Sequence, residues 1–405
     1  MYLNVFIYKM FSASPSAISA MVTASAVAAT LTTLIIGALS DKIGKRKLFI
    51  TGGYLLWGIS ILCFALIRLD LISAIFPTVA SAASLGISLT IILDCIMTFF
   101  GSAANDACFN AWLTESVTDQ KRGAAEGINA MMPLLAIIVV FGGFMGFDLN
   151  QKESWTSIFL IIGAIVLVIG ILGIFLIKES TVKTESNHSF WGNIFYSFQP
   201  HVIRNNKMLY LTLLGFGVFG ISIQVFMPYL ILYYNVSLGL ENYVLIMAPA
   251  ILLASVVTAF YGKLFDKKGF TASMIPTLVA LMAGYVVLYL FTGTALVFVG
   301  SLLMMIGYLC GCAVFGAMIR KYIPQNKAGM FQGVRIIGQV LIPGIIGPII
   351  GARVLKNAKT FVNDDGTLSF IPNQNIFLAA LAVAVVLVGV LTYQFLVLRK
   401  ENGHE

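Results

Sequence analysis

Gly37-Ala38-Leu39-Ser40-Asp41-Lys42-Ile43-Gly44 closes one long apolar run, and Gly262-Lys263-Leu264-Phe265-Asp266-Lys267-Lys268-Gly269 matches it 225 residues later, at the close of another. Each copy opens a basic loop. Further along, Phe109, Ala111, Gly123 and Gly127 match Phe315, Ala317, Gly329 and Gly333 at a constant offset of 206. The offset drops by 19 (225 less 206), which fits a longer loop near Arg68 to Ala83 in the first half. Two ungapped registers in the same order mark an internal duplication.

Outward from the two copies, apolar runs fall at about 16–39, 48–67, 84–113, 123–147, 155–177, 208–234, 243–264, 272–292, 295–319, 328–352 and 375–397. Each of the eleven reaches the ~20 residues an α-helix needs to cross a bilayer. Composition agrees: the 405 residues are 59% hydrophobic and 10% charged, against about 25% charged in ordinary soluble domains. That balance excludes a soluble globular chain, a disordered one and a disulfide scaffold. An outer-membrane barrel is excluded because its strands alternate in polarity instead of running apolar. The expected fold is an all-α membrane protein of two pseudo-symmetric six-helix bundles. Residues 1–177 form the first bundle, 178–207 a polar linker with a short surface helix at Phe190 to Phe198, 208–399 the second bundle, and 400–405 a tail.

At offset 225 the opening Val5 to Lys9 aligns with Leu230 to Tyr234, the end of a span that begins near Met208. The first helix is therefore expected to lack about 17 residues (225 less 208) relative to its repeat, an expectation that a longer upstream reading frame would settle.

Charge sets the orientation. With the 41–47 loop inside, 18 of the 25 Lys and Arg lie on that side, six lie outside, and Arg335 lies within a span. Positive residues gather in cytoplasmic loops, so the loop, the linker and the C-terminus are assigned to the cytoplasm, and the membrane is read as a bacterial plasma membrane. The net charge of +8 follows from those loops and calls for no nucleic acid. Cys63, Cys95, Cys108, Cys310 and Cys312 all sit in apolar runs, and His188, His201 and His404 lie in the linker and the tail. No metal site or cofactor is expected from that placement.

Gly37-x-x-x-Asp41-Lys42-x-Gly44-Lys45-Arg46-Lys47 resembles the signature between helices two and three of the major facilitator superfamily, and Gly262 to Gly269 sits where that family has its second copy. Arg122-Gly123 after the fourth helix fits the same pattern. The glycines allow close helix contact and a tight turn, and Asp41 can face the positive end of a helix from the other half. By the family's geometry that partner is helix eleven near Ala328, with Asp266 facing helix five. These contacts would form a cytoplasmic gate of Gly37, Asp41, Gly44, Arg46, Arg122, Gly262, Asp266 and Gly269. A solvated basic loop that merely orients the chain is the plain alternative.

Charge inside a span is costly and usually faces a cavity or a partner. In helix four, Thr90, Asp94, Thr98, Ser102 and Asn105 fall within an arc of about 120°, with Asp106 at its edge. Asp94 lies about 15 Å below the outer end, near the midplane. It is the candidate coupling residue, against the alternative of a packing hydrogen bond. Gln332, Arg335 and Gln339 share an arc of about 60° on helix eleven, ahead of Pro343, Gly344, Gly347 and Pro348. Arg335 can bind an anionic or hydroxyl-rich solute through its guanidinium fork; alternatively it pairs with Asp106 or Glu126. Gln224 beside Pro228, and Asn129 with Pro133, add neutral hydrogen-bonding groups, which elsewhere often serve as interhelical glue. Trp57 and Trp112 read as interfacial anchors more readily than as sugar platforms.

The family resemblance implies a secondary transporter acting by alternating access, as a monomer in the bilayer. The stretch from Asp94 to Trp112 is similar to the melibiose-type sugar and cation symporters, which points to a sugar or glycoside as the small-molecule substrate. Those carriers place sodium-binding carboxylates on helix two, whereas Ser16 to Leu39 contains no Asp. The coupling ion is therefore read as H+, with Na+ second. An exporter of amphipathic drugs or lipids is the alternative within transport. A membrane-embedded enzyme would need a nucleophile and base pair or a metal cluster in the spans, and the runs hold no His.

Overall fold

The computed structural model describes residues 2–79, 81–116, 132, 136, 139–140, 142–179, 196–240, 242–323, 328–363 and 366–402. Ten helices among them are long and apolar enough to cross a membrane. Most of the span expected at 123–147 and of the surface helix at Phe190 to Phe198 falls outside the described residues. The face that carries the 41–47 loop is called the basic face here, and the opposite one the far face.

The chain enters through α1 (Tyr2–Phe11), which ends at the far face. Then α2 (Pro15–Ile43) descends to the basic face and α3 (Arg46–Cys63) returns. The expected outer loop contains α4 (Leu69–Ile75). Next α5 (Ala82–Gly101) runs through a π-helical segment, Ser102–Phe109, into α6 (Asn110–Ser116). After α7 (Lys152–Leu176) and the short α8 (Pro200–Asn205) comes α9 (Lys207–Phe226), prolonged by further helical turns to Ser237. Two spans form α10 (Val244–Leu290), bent at Gly269, and α11 (Thr294–Tyr322) follows. Then α12 (Ala328–Ile336) leads through a π turn into α13 (Ile342–Val354), and α14 (Asn375–Asn402) ends the chain.

Local chemistry explains the joints. Ser14 caps α2 by accepting the Ala17 N–H at 3.2 Å, and Pro15 occupies the first helical position, where no N–H is needed. Gly44 ends α2 at φ 69°, its N–H donating to Ser40 O at 2.9 Å, the left-handed stop that glycine takes without a Cβ penalty. Gly269, its counterpart at offset 225, has φ 76°. The two copies of the motif thus place a positive-φ glycine at the same register position. Gly37 behaves differently: a Cβ there would sit 3.9 Å from Ala107 Cβ, an ordinary contact, so the close approach expected of it is not made.

Close approaches fall at other glycines. On the pair α3 and α7, a Cβ at Gly58 would meet Leu167 at 2.7 Å and one at Gly163 would meet Leu62 at 2.6 Å. Gly284 of α10 lies against the backbone of Met304, and Gly307 of α11 against that of Leu281. In lipid such small-residue contacts substitute for a hydrophobic drive between helices. The rim of the bundle exposes Ile165, Val168, Phe175, Phe260, Val279 and Val386, each more than half exposed. This is the belt that lipid would cover.

The all-α expectation holds apart from one far-face hairpin between α13 and α14. There β1 (Thr360–Val362) pairs antiparallel with β2 (Leu368–Phe370). Nothing in the sequence pattern signalled it, because each strand is three residues long.

Candidate functional site

At the basic face Arg46 is buried, and its Nη1 donates to Ser40 Oγ at 2.5 Å. That hydroxyl in turn donates to Gly37 O at 2.8 Å. Arg46 is thereby pinned across the α2–α3 turn through a residue the motif reading passed over. Ser40 escaped notice because its counterpart in the second copy is Phe265. At the first turn of α3, Lys47 N–H donates to Glu179 Oε1 at 3.2 Å, where helix geometry favours an anion. Arg122 and Asn129 lie outside the described residues, as do the side-chain positions of Asp41, Gly262, Asp266 and Gln332. The two helices named for the Asp41 contact touch lightly, α2 on α12, the helix that begins at Ala328.

In the middle of the bundle Asp94 is 6% exposed and accepts a hydrogen bond from Ser25 Oγ of α2. Thr90, one turn away and fully buried, bonds back to Gly86 O at 2.8 Å. The helix that carries the polar stripe changes pitch at Ser102. Through the wider π turns of Ser102–Phe109 the side chains no longer advance by the α-helical step. Ser102 stays buried, Asn105 is half-buried, and Asp106 is exposed, held by Asn105 Nδ2 at 3.2 Å. Asp94 bonds across to α2, whereas Asp106 bonds within its own helix to Ser102 and Asn105. Trp57 packs on Gly101, while Trp112 Nε1 donates to Lys178 O at 2.8 Å.

Across the bundle, Arg335 Nε donates to Gln339 Oε1 at 3.2 Å, both side chains half-buried. Gln224 is half-buried beside α13, where a Cβ on Gly347 would meet its Cβ at 2.4 Å. Gly220 abuts Pro343, and Gly351 abuts Val225 O and Tyr229. The Gly and Pro residues of α13 thus seat it on α9.

The same helix reaches the first set of spans. A Cβ on Gly344 would lie 2.4 Å from Ala26 Cβ, and Thr23 Oγ1 donates to Gly344 O at 3.3 Å. Toward the far face, Tyr229 Oη donates to Pro15 O at 2.9 Å and Asn4 Nδ2 to Pro228 O at 3.0 Å. These contacts join the two sets from the far face down to the level of Ala26, and α2 goes on to touch the π turn at Ile337–Leu341 and α12 below it. Asp94 is bonded to Ser25, the neighbour of Ala26.

A cleft of about 400 Å³ opens at the far face among Phe6, Lys9, Phe64, Arg68, Trp155 and Phe159. It lies within the first set and not between the sets, so it is not a solute path. Its cations are engaged: Arg68 grips Asp70 at 3.1 and 2.7 Å, Lys152 lies 3.6 Å from Asp70, and Lys9 Nζ donates to Asn150 Oδ1 at 2.9 Å. The Arg68 hydrogen bonds hold the Asp70 carboxyl down at about 2. Among the described residues no group of His, Cys, Asp and Glu could hold a metal ion.

The profile of the Major Facilitator Superfamily matches residues 1–348. A variant of the nucleoside transporter NupG is similar in structure, at TM-score 0.72 and 14% identity, over 97% of this chain and 94% of that one. A bacterial homolog of the human lysosomal transporter Spinster, inward-facing and occupied, gives 0.66 and 16% over 98% and 94%. The xylose transporter XylE from E. coli, partially occluded and inward open, gives 0.61 and 16% over 95% and 93%. No curated protein matches the sequence. With a profile that spans most of its length, the chain belongs to the Major Facilitator Superfamily and is an integral membrane transporter and not an enzyme.

Proposed function

We propose that the protein is a secondary active transporter that moves a sugar or glycoside by alternating access, coupled to protons at Asp94. The carrying observation is the Asp94 carboxylate, buried in the span Ala82–Leu113 and bonded to Ser25 of the helix that closes on Gly344. A charge at that depth is costly, so gain or loss of one proton there changes what Ser25 can accept or donate and shifts the balance between two packings of α2. A ligand biases such an equilibrium only by its difference in affinity for the two states, and the proton on Asp94 supplies that difference. The likeness of Asp94 to Trp112 to melibiose-type symporters supports a sugar. Ser25 in place of a carboxylate on the second helix supports H+ over Na+. The reading places the basic face and C-terminus in the cytoplasm of a bacterial cell and takes the monomer as the working unit.

The test is uptake of radiolabelled hexoses, glycosides and nucleosides into proteoliposomes under an imposed pH gradient, acidic outside. Accumulation above the external concentration is expected for one class, with no response to a Na+ gradient. Asp94→Asn should reduce accumulation to equilibration while leaving counterflow in place. Accumulation that survives Asp94→Asn sinks the coupling assignment, and the absence of uptake for every sugar sinks the substrate class.

A further inference from the structure

The far-face hairpin is too short to hold itself together. A two-stranded hairpin is marginal in water, and β1 is exposed along its whole length. What buries β2 is α1, from the other set of spans. Tyr8 Oη donates to Phe370 O at 2.5 Å, with the Tyr8 and Phe370 rings edge to face at 5.1 Å. Ser12 Oγ lies 2.8 Å from Thr367 Oγ1, and Asn363 Nδ2 lies 3.0 Å from Ser12 Oγ and 2.9 Å from Ser369 Oγ. Phe370 also meets Tyr229, whose hydroxyl holds Pro15 O.

Ser12 carries a second signal. At φ 52° it is the one non-glycine residue with positive φ among the described residues. That conformation costs free energy and persists where surroundings over-determine it. Here it turns the Ser12 hydroxyl onto Thr367 and Asn363 at the junction of α1 and α2. The hydrogen bonds and the strained turn converge on one seam, which joins the two sets only at the far face.

We infer that the Thr360–Phe370 hairpin is a latch that docks on Tyr8 and Ser12 of α1 to hold the far face closed and must release before that face opens. The inference rests on the alternating-access reading above. Its test uses no solute, so failure of the sugar or proton assignment leaves the result readable.

Hydrogen–deuterium exchange is measured by mass spectrometry on the full chain in lipid nanodiscs. Asn363→Ala should speed exchange at least threefold in peptides from α1 and from 227–237 as well as in the hairpin. Acceleration confined to the hairpin would show a frayed loop and overturn the latch. In the reverse direction, Ser12→Cys with Thr367→Cys joins two side chains whose oxygens are 2.8 Å apart. The oxidised protein should exchange at least threefold more slowly over 227–237 than the same protein after reduction, and equal rates in the two forms would overturn it.

Discussion

Gly37 and Gly44 stand seven residues apart in one motif, yet the structure asks different things of them. Gly44 sits at φ 69°, where an L side chain costs about 1–2 kcal/mol. Gly269 at φ 76° and ψ −175° lies in a region that only glycine visits freely. Gly37 is helical with room for a methyl group. Denaturation in mixed micelles should therefore show Gly44→Ala and Gly269→Ala destabilised by at least ~1 kcal/mol and Gly37→Ala within about 0.5 kcal/mol of the parent. Asp70 gives a second check. Arg68 depresses its carboxyl to about 2, so its ion pairs are complete above the ordinary carboxylate range and are lost only as pH falls through about 2. Asp70→Asn should leave the pH profile of uptake between pH 5 and 8 unchanged. A shifted profile would move the titrating group away from Asp94.

At the scale of helices, the joint between the second leg of α10 and α11 is backbone against backbone. A Cβ at Gly284 would stand 2.5 Å from Met304 N, and one at Gly307 2.6 Å from Leu281 backbone atoms. Backbone cannot step aside as a flexible side chain can. Gly284→Ala and Gly307→Ala should each cost about 1–3 kcal/mol, measured as a loss of monodisperse protein on heating. Most helices were legible from apolar run length alone, since a bilayer forces every backbone group to be satisfied within the span. Three features were not. The π-helical segment at Ser102–Phe109 has no composition of its own, so a 100° projection does not describe the side-chain directions beyond Ser102. The hairpin depends on Tyr8 and Ser12, more than 340 residues away in the chain. Ser25 carries no charge to mark it in the sequence, and its role comes from facing Asp94 on α5.

For the molecule as a whole, the duplication read from two short registers gave the fold, because a repeat survives as spacing even where side chains diverge. The pairing of the two sets could not be read that way. It depends on which faces meet, and Ala26 against Gly344 is a contact between two small residues with no chemistry to advertise it. The contact nonetheless limits how far the far face can close. Gly344→Leu should prop it apart and cut solute uptake at least tenfold, with a loss of stability too small to account for it. Parental uptake by that variant would show that the seam at Ala26 need not close during transport.

The bend at Gly269 bears on handling as well as on motion. Residues 244–290 are two helices joined at a kink, and Gly269 alone among them departs from helical geometry. Cleavage by a protease needs a run of extended chain in its active-site groove, and nicking concentrates at loop tips that can supply one. Lys263, Lys267 and Lys268 would otherwise be an obvious tryptic target between two spans. Held in helix on both sides of a single glycine, they present no such run. The folded protein is therefore expected to keep these two spans as one covalent piece under limited trypsin digestion that would cut a flexible loop.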